Sequence, residues 1–200
     1  MGVDRLNGWL RKVPVWAVYL ALAVPPPWLL YLGLTGGLGA EPIKALEHEL
    51  GELGLKLLVI GLAITPVRRY VGLNLIKFRR AIGVMTFVYI ALHLLVWLVL
   101  DVQVLNEIWA DILKRPYISI GMVAFVLMTP LAMTSNNWSV RRLGPKWRKL
   151  HKLVYGIAIL GALHFVLLVK GFQIEPLLYM AVILGLLVLR LPNRRKPVVA

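Results

Sequence analysis

Residues 81–100, AIGVMTFVYIALHLLVWLVL, are twenty consecutive positions without a charged side chain, and they carry one histidine, His93. At a helical rise of about 1.5 Å per residue, this run covers the roughly 30 Å of hydrocarbon in a bilayer. Its apolar residues are continuous rather than alternating, which argues against a barrel strand. A spanning backbone must then be helical to satisfy its own N–H and C=O groups. Five further uncharged runs lie outward from it, at 13–34, 57–67, 117–134, 153–169 and 176–189. The runs at 57–67 and 176–189 are short for a crossing. The first lengthens by running back past Lys56 toward Leu46, with the lysine stem snorkelling to the interface; the second takes in Ile174 and Leu191. The predicted fold is all-α, a polytopic membrane helix bundle of about six transmembrane helices, with residues 1–200 forming a single domain.

Composition agrees. The chain is 60% hydrophobic and 16% charged with a mean hydropathy of +0.77, whereas charged residues reach about 25% in soluble domains. The absence of cysteine excludes disulfides, cysteine-ligated zinc, iron–sulfur clusters and thioether-attached haem. The net charge of +14 would point toward nucleic acid in a soluble chain, but its distribution explains it otherwise. Three basic residues precede the first run, five separate the second from the third, six separate the fourth from the fifth, and four follow the last, so that 18 of 23 fall on one side. The other side holds Lys44, Lys56, Lys114, Arg115 and Lys170, with outer loops carrying every acid except Asp4. The positive-inside rule places both termini in the cytoplasm, and contact with anionic lipid accounts for the charge without nucleic acid. The first run is too long for a signal-peptide core and is read as a retained span. Pro25, Pro26 and Pro27 in its middle must kink or interrupt it.

Of four histidines, His93 and His164 sit deep inside uncharged spans, where an ionisable side chain is costly and often functional. Either alone could simply hydrogen-bond a neighbouring helix. His93 follows Arg80 by 13 residues and His164 follows Lys152 by 12, so each stands about 18–20 Å from the cytoplasmic edge. Both spans run the same way, so two imidazoles can meet at one depth in the outer half of the bilayer. With no cysteine and no intramembrane carboxylate, this pair suits a six-coordinate haem iron better than zinc or a proton relay. Gly161, Gly83 and Gly156 on the same helices would let a flat macrocycle approach. His151, at the cytoplasmic mouth of the fifth span, lies about 20 Å and about 140° from His164 if one helix joins them, so one haem cannot take both. A second haem under the first would need a partner near positions 79 and 80, which are Arg79 and Arg80. Guanidinium groups suit propionate or phosphate. His48, in Glu47-His48-Glu49, starts the second span on the outer side, as a surface residue in an acidic loop, an alternative haem ligand or part of a docking surface.

The stretch LAMTSNNWSVRRLGPKWRKLHKLVY at 131–155, followed by Gly161-Ala162-Leu163-His164, resembles the bacterial haem-binding subunit of the periplasmic protein-methionine-sulfoxide reductase system, in the ferric-reductase-like transmembrane group. Leu46-Glu47-His48, Ile64-Thr65-Pro66-Val67-Arg68 and Ala91-Leu92-His93-Leu94-Leu95 extend the likeness. The resemblance implies an inner-membrane electron-transfer subunit carrying b-type haem (heme b), with FMN also associated with the family. Its donor would be the quinone pool or a cytosolic flavin reductase. Its acceptor would be a periplasmic molybdopterin-containing reductase that repairs oxidised methionines. His93, His151 and His164 match the family's haem-associated histidines. Arg79 stands where larger ferric reductases place a further histidine, and no flavin/nicotinamide domain follows. The competing function from the residues is a transporter or proton-conducting protein using the intramembrane histidines; a scaffold held by those histidines is a third.

Overall fold

The computed structural model describes residues 2–169 and 171–191. Lys170, Arg194, Arg195 and Lys196, used above in counting charge, lie outside the described residues. Among the described residues there are helices and no strand. A short helix α1 (Val3–Lys12) precedes α2 (Val15–Ala23) and α3 (Pro25–Leu34). Then come α4 (Pro42–Tyr70), α5 (Arg79–Val96), α6 (Leu105–Lys114), α7 (Pro116–Met133), α8 (Asn137–Leu143), α9 (Pro145–Leu150), α10 (Leu153–Leu168) and α11 (Ile174–Leu189). Five stretches are long and apolar enough to cross a membrane, the first being α2 and α3 together; α11 is a shorter apolar helix of 16 residues.

Local sequence explains the starts and stops. Proline opens α3, α4, α7 and α9, where its missing N–H is no loss. Asn136 caps α8, its side chain accepting from the Ser139 amide at 2.8 Å, and Gly144 turns the chain into α9 at φ 51°. In α6, Leu105, Ile108, Trp109, Ile112 and Leu113 share one face, the pattern of a helix lying along an interface. The third span departs from a plain helix. After Val96 it widens into a π-turn, Trp97–Val102, closed by Gln103 at φ 61°. The Trp97 amide donates to both His93 O and Leu94 O, and the wide turn starts at Trp97, one turn past His93.

The prolines inside spans free carbonyls, and distant side chains take them up. Pro26 cannot donate to Leu22 O; the buried Tyr89 hydroxyl of α5 donates to it at 2.9 Å. Pro66 likewise frees Leu62 O, and the Arg190 Nε at the end of α11 donates to it at 3.0 Å. Tyr89→Phe keeps the ring and orphans one carbonyl, so it should destabilise the detergent-solubilised protein by about 1 kcal/mol. An unfolding curve matching the unmodified protein would show that Leu22 O finds water or another donor.

α4 is the central helix. One face packs Leu46, Leu50, Leu57 and Ile64 against Phe78, Ile82, Met85 and Tyr89 of the α5 segment. Another packs Leu55, Leu58 and Leu62 against Met128 and Leu131 of α7, Ile157, Ala158 and Ala162 of α10, and Ile183 of α11. At Gly54 an added Cβ would stand 2.5 Å from Ile90 Cδ1, so α4 and α5 approach there as closely as glycine permits. Outward-facing Leu20, Trp28, Leu95, Val126 and Leu184 leave the perimeter apolar, as hydrocarbon requires.

The start of α4 agrees with the extension of the short run back toward Leu46. Glu47, His48, Glu49 and Glu52 belong to the first turns of this 29-residue helix. Leu46 and Leu50, one turn apart and both buried, hold those turns to the bundle. Lys56 does not snorkel alone: its Nζ pairs with Glu52 at 2.6 Å, and the Tyr179 hydroxyl of α11 donates to the same carboxylate at 3.3 Å. A carboxylate therefore does lie within a spanning helix, on its half-exposed flank.

Candidate functional site

His93 stands near the end of α5 and His164 near the end of α10, and the bundle brings the two together. Their ring centroids are 6.3 Å apart with the planes at 80°. Two imidazoles bridged by one metal ion stand about 6 Å apart, from metal–nitrogen bonds of about 2 Å and about 1 Å from each nitrogen to its ring centre. The rings are thus spaced to hold an ion between them. Among the described residues no three His, Asp or Glu side chains gather as a metal site. A partner for these two nitrogens must bring its own equatorial ligands, as a porphyrin does.

Each ring is anchored in the same way. His93 Nδ1 lies 2.8 Å from Glu47 O of α4, and His164 Nδ1 lies 2.7 Å from Tyr117 O of α7. A carbonyl oxygen only accepts, so Nδ1 carries the proton in both rings and Nε2 keeps the lone pair that binds metal. Such bonds to a backbone carbonyl fix the tautomer and orientation of ligating histidines. Glycines make room for both rings. A Cβ at Gly51 would come 3.0 Å from His93 Nδ1, and one at Gly121 2.8 Å from His164 Nδ1. The sequence reading did not single out these two. It named Gly83, Gly156 and Gly161 instead. A Cβ at either of the first two meets nothing within 4 Å, and one at Gly161 meets Leu55 at 3.9 Å. The signal that could have found Gly51 and Gly121 is their place one turn after a residue level with the opposing histidine, which requires the packing partner to be known.

His151 stands where α9 passes into α10: His151 and Lys152 form a short turn, both with right-handed helical backbone angles, inside the stretch Pro145–Leu168 that is long and apolar enough to cross a membrane. The His151 ring stacks on Trp147 at 3.8 Å, Nδ1 lies 3.1 Å from Trp147 O, and Nε2 is buried without a hydrogen-bond partner. Trp147 is itself held by its indole N–H donating to Thr134 O at 2.9 Å. Arg79 lies within electrostatic reach of His151, Tyr155 and Arg190. Arg80 points elsewhere, donating to Asn137 Oδ1 at 2.7 Å. His48, on α4 next to Glu47, is near enough to His93 to interact with it electrostatically.

Fold and site together define a multi-pass helical membrane protein whose interior opposes two imidazoles on separate spans. Residues 50–162 match the ferric reductase like transmembrane component family. The chain is 47% identical over 189 residues to a Brucella ovis protein named protein-methionine-sulfoxide reductase heme-binding subunit MsrQ, covering 92% of this chain and 86% of that one. A Brucella anthropi protein of the same name is 45% identical over 190 residues with the same coverage. No solved structure matches the chain. The chain belongs to the MsrQ family within the ferric reductase-like transmembrane group.

Proposed function

We propose that this chain is a b-type haem electron-transfer subunit of the bacterial inner membrane, with both termini cytoplasmic and residues 1–200 acting as one ferric-reductase-like unit. It would take electrons from the quinone pool or a cytosolic flavin reductase. It would pass them to a periplasmic molybdopterin-containing methionine-sulfoxide reductase that repairs oxidised proteins. The observation that carries this reading is the pair His93 and His164, with centroids 6.3 Å apart and both Nδ1 atoms tied to backbone carbonyls. The relatives, named as heme-binding subunits of protein-methionine-sulfoxide reductase, support it.

A haem bound between these residues supplies a one-electron couple. The chain's own part is positional: Glu47 O and Tyr117 O orient the imidazoles, and the apolar packing of α4, α5, α7 and α10 keeps water out. His151, with an unpartnered Nε2, serves a second haem or the entry of electrons, and Arg79 offers a cation for propionate or phosphate. Arg80 is a weaker candidate because Asn137 already accepts from it. FMN enters only through the family, and its phosphate would suit the Arg79 side of the bundle. His48 is retained as an auxiliary residue of the opposite end. The spectrum of the purified protein tests the whole reading: a Soret band and a sharp reduced α-band are expected. Protein purified from haem-replete cells without either would refute it and favour proton conduction or a scaffold.

Orientation gives one expected outcome. A reporter fused after Ala200 should read as cytoplasmic and one inserted in residues 101–115 as periplasmic. The reverse pattern would invert the direction of electron flow. Docking gives another. On the outer side Lys44, Lys56 and Arg115 are paired with Glu41, Glu52 and Asp111, and the exposed acids Glu49, Asp101, Glu107 and Glu175 outnumber Lys114 among the described residues. A partner with a basic patch should be steered there, so haem re-oxidation by the partner slows as salt rises, exposed charges being screened over about 8–10 Å. A rate flat or rising with salt would eliminate docking by charge at this face.

A further inference from the structure

Four residues form the same device twice. On α4 the carbonyl of Glu47 receives His93, and Gly51 follows one helical turn later; on α7 the carbonyl of Tyr117 receives His164, and Gly121 follows one turn later. In an α-helix the carbonyl of residue i already accepts the amide of residue i+4. An outside donor must use the second lone pair and come in beside residue i+4, where a Cβ would project. The built positions agree: a Cβ at Gly51 meets His93 Nδ1 at 3.0 Å and Cε1 at 3.2 Å, and one at Gly121 meets His164 Nδ1 at 2.8 Å and Cε1 at 3.1 Å. In both cases the nearest atoms belong to the imidazole and to nothing else. Gly54, three residues beyond Gly51, differs, because there the neighbours are Ile90 and Tyr89, which is ordinary helix packing.

We propose that Gly51 and Gly121 are positioning residues that hold the His93 and His164 imidazole planes near a right angle and thereby set the electronic character of the iron those rings bind. The inference rests on the reading that both histidines ligate one haem. An imidazole's π orbital overlaps the iron d orbital perpendicular to its own plane. Crossed planes at 80° address the two d-π orbitals nearly equally and leave them close in energy. Orbital angular momentum then stays largely unquenched, and the ferric low-spin signal is strongly anisotropic. Parallel planes split the two orbitals and give a compact rhombic signal. A methyl group at position 51 or 121 cannot be absorbed by a flexible side-chain tip. It presses on a rigid ring held at Nδ1, so the ring must tilt or leave its carbonyl.

The test compares the haem-loaded full-length protein with Gly51→Ala, Gly121→Ala and Gly185→Ala by electron paramagnetic resonance of the ferric state and by potentiometric titration. Gly185, in α11, is the control, because a Cβ there meets nothing within 4 Å. Alanine favours helix over glycine, so a weaker helix cannot explain any change. The unmodified protein should show the strongly anisotropic signal. Both cradle variants should move it and shift the midpoint potential, Gly121→Ala more than Gly51→Ala because its contact is shorter. Gly185→Ala should leave both readouts in place. Loss of haem from a monodisperse Gly121→Ala protein also supports the cradle when Gly185→Ala keeps its haem. Gly51→Ala then supplies the spectral comparison. Unchanged signal and potential in Gly51→Ala and Gly121→Ala would overturn the proposal, as would a rhombic signal in the unmodified protein. Absence of any low-spin haem from the unmodified protein would instead refute the functional reading on which it rests.

Discussion

His93→Ala and His164→Ala should each abolish the same six-coordinate haem signal, whereas His151→Ala should leave that signal intact and slow its reduction by the physiological donor. The reason is that His93 and His164 share one site, with ring centroids 6.3 Å apart and each ring fixed at Nδ1 by its own backbone carbonyl. Removing one imidazole leaves the iron five-coordinate or unbound. His151 sits at the other end of α10, stacked on Trp147, and cannot reach that site. Absorption and paramagnetic resonance spectra of the three variants decide the matter. A full low-spin signal surviving in His93→Ala or His164→Ala would break the pairing. Its complete disappearance in His151→Ala would move the ligand assignment to the basic end.

Arg190→Ala should produce the largest loss of stability among single changes away from the histidines. Arg190 donates through Nε to Leu62 O at 3.0 Å, through Nη2 to Gly61 O at 3.4 Å and through Nη1 to the Tyr155 hydroxyl at 3.3 Å, and its guanidinium lies 5.5 Å from the centre of the Tyr155 ring. Leu62 O is the carbonyl that Pro66 leaves free inside α4. Truncation therefore orphans that oxygen and unties α11 from α4 and α10 together. Hydrogen bonds to a charged donor are each worth about 1.5–3 kcal/mol, which places the loss at about 2–4 kcal/mol once partial exposure is allowed for. Unfolding followed in detergent should show a lowered midpoint for Arg190→Ala and partial recovery in Arg190→Lys, which keeps the charge but not the fork. Equal midpoints for Arg190→Ala and the unmodified protein would mean that α11 is held by its apolar face alone.

Much of the bundle was legible along the chain. Runs of uncharged residues and the 1.5 Å helical rise place the spans. Prolines at 25, 42, 116 and 145 mark helix starts, and the matched counts from Arg80 to His93 and from Lys152 to His164 bring two histidines to one level. The site was legible in its ligand candidates and not in its supports. Glu47-His48-Glu49 read as the outer start of the second span, and the structure adds that Leu46 and Leu50 on either side are buried against other helices. His151 read as the foot of the fifth span, and it stands there on the short turn before α10; its stacking on Trp147 shows only in the structure.

By itself the sequence determined an all-helical membrane bundle, which runs are apolar enough to cross, and that His93 and His164 stand at matched counts within two of them, since length, hydrophobicity and charge are properties of consecutive residues. The tertiary structure alone decided which backbone carbonyl holds each imidazole, that Gly51 and Gly121 must lack a side chain, and that Tyr89 and Arg190 answer the carbonyls freed by Pro26 and Pro66. These contacts join residues 46 to 128 positions apart. They depend on the order in which helices pack and on the rotation of each about its axis, and a rotation of one residue, about 100°, would turn any of these groups away from its partner.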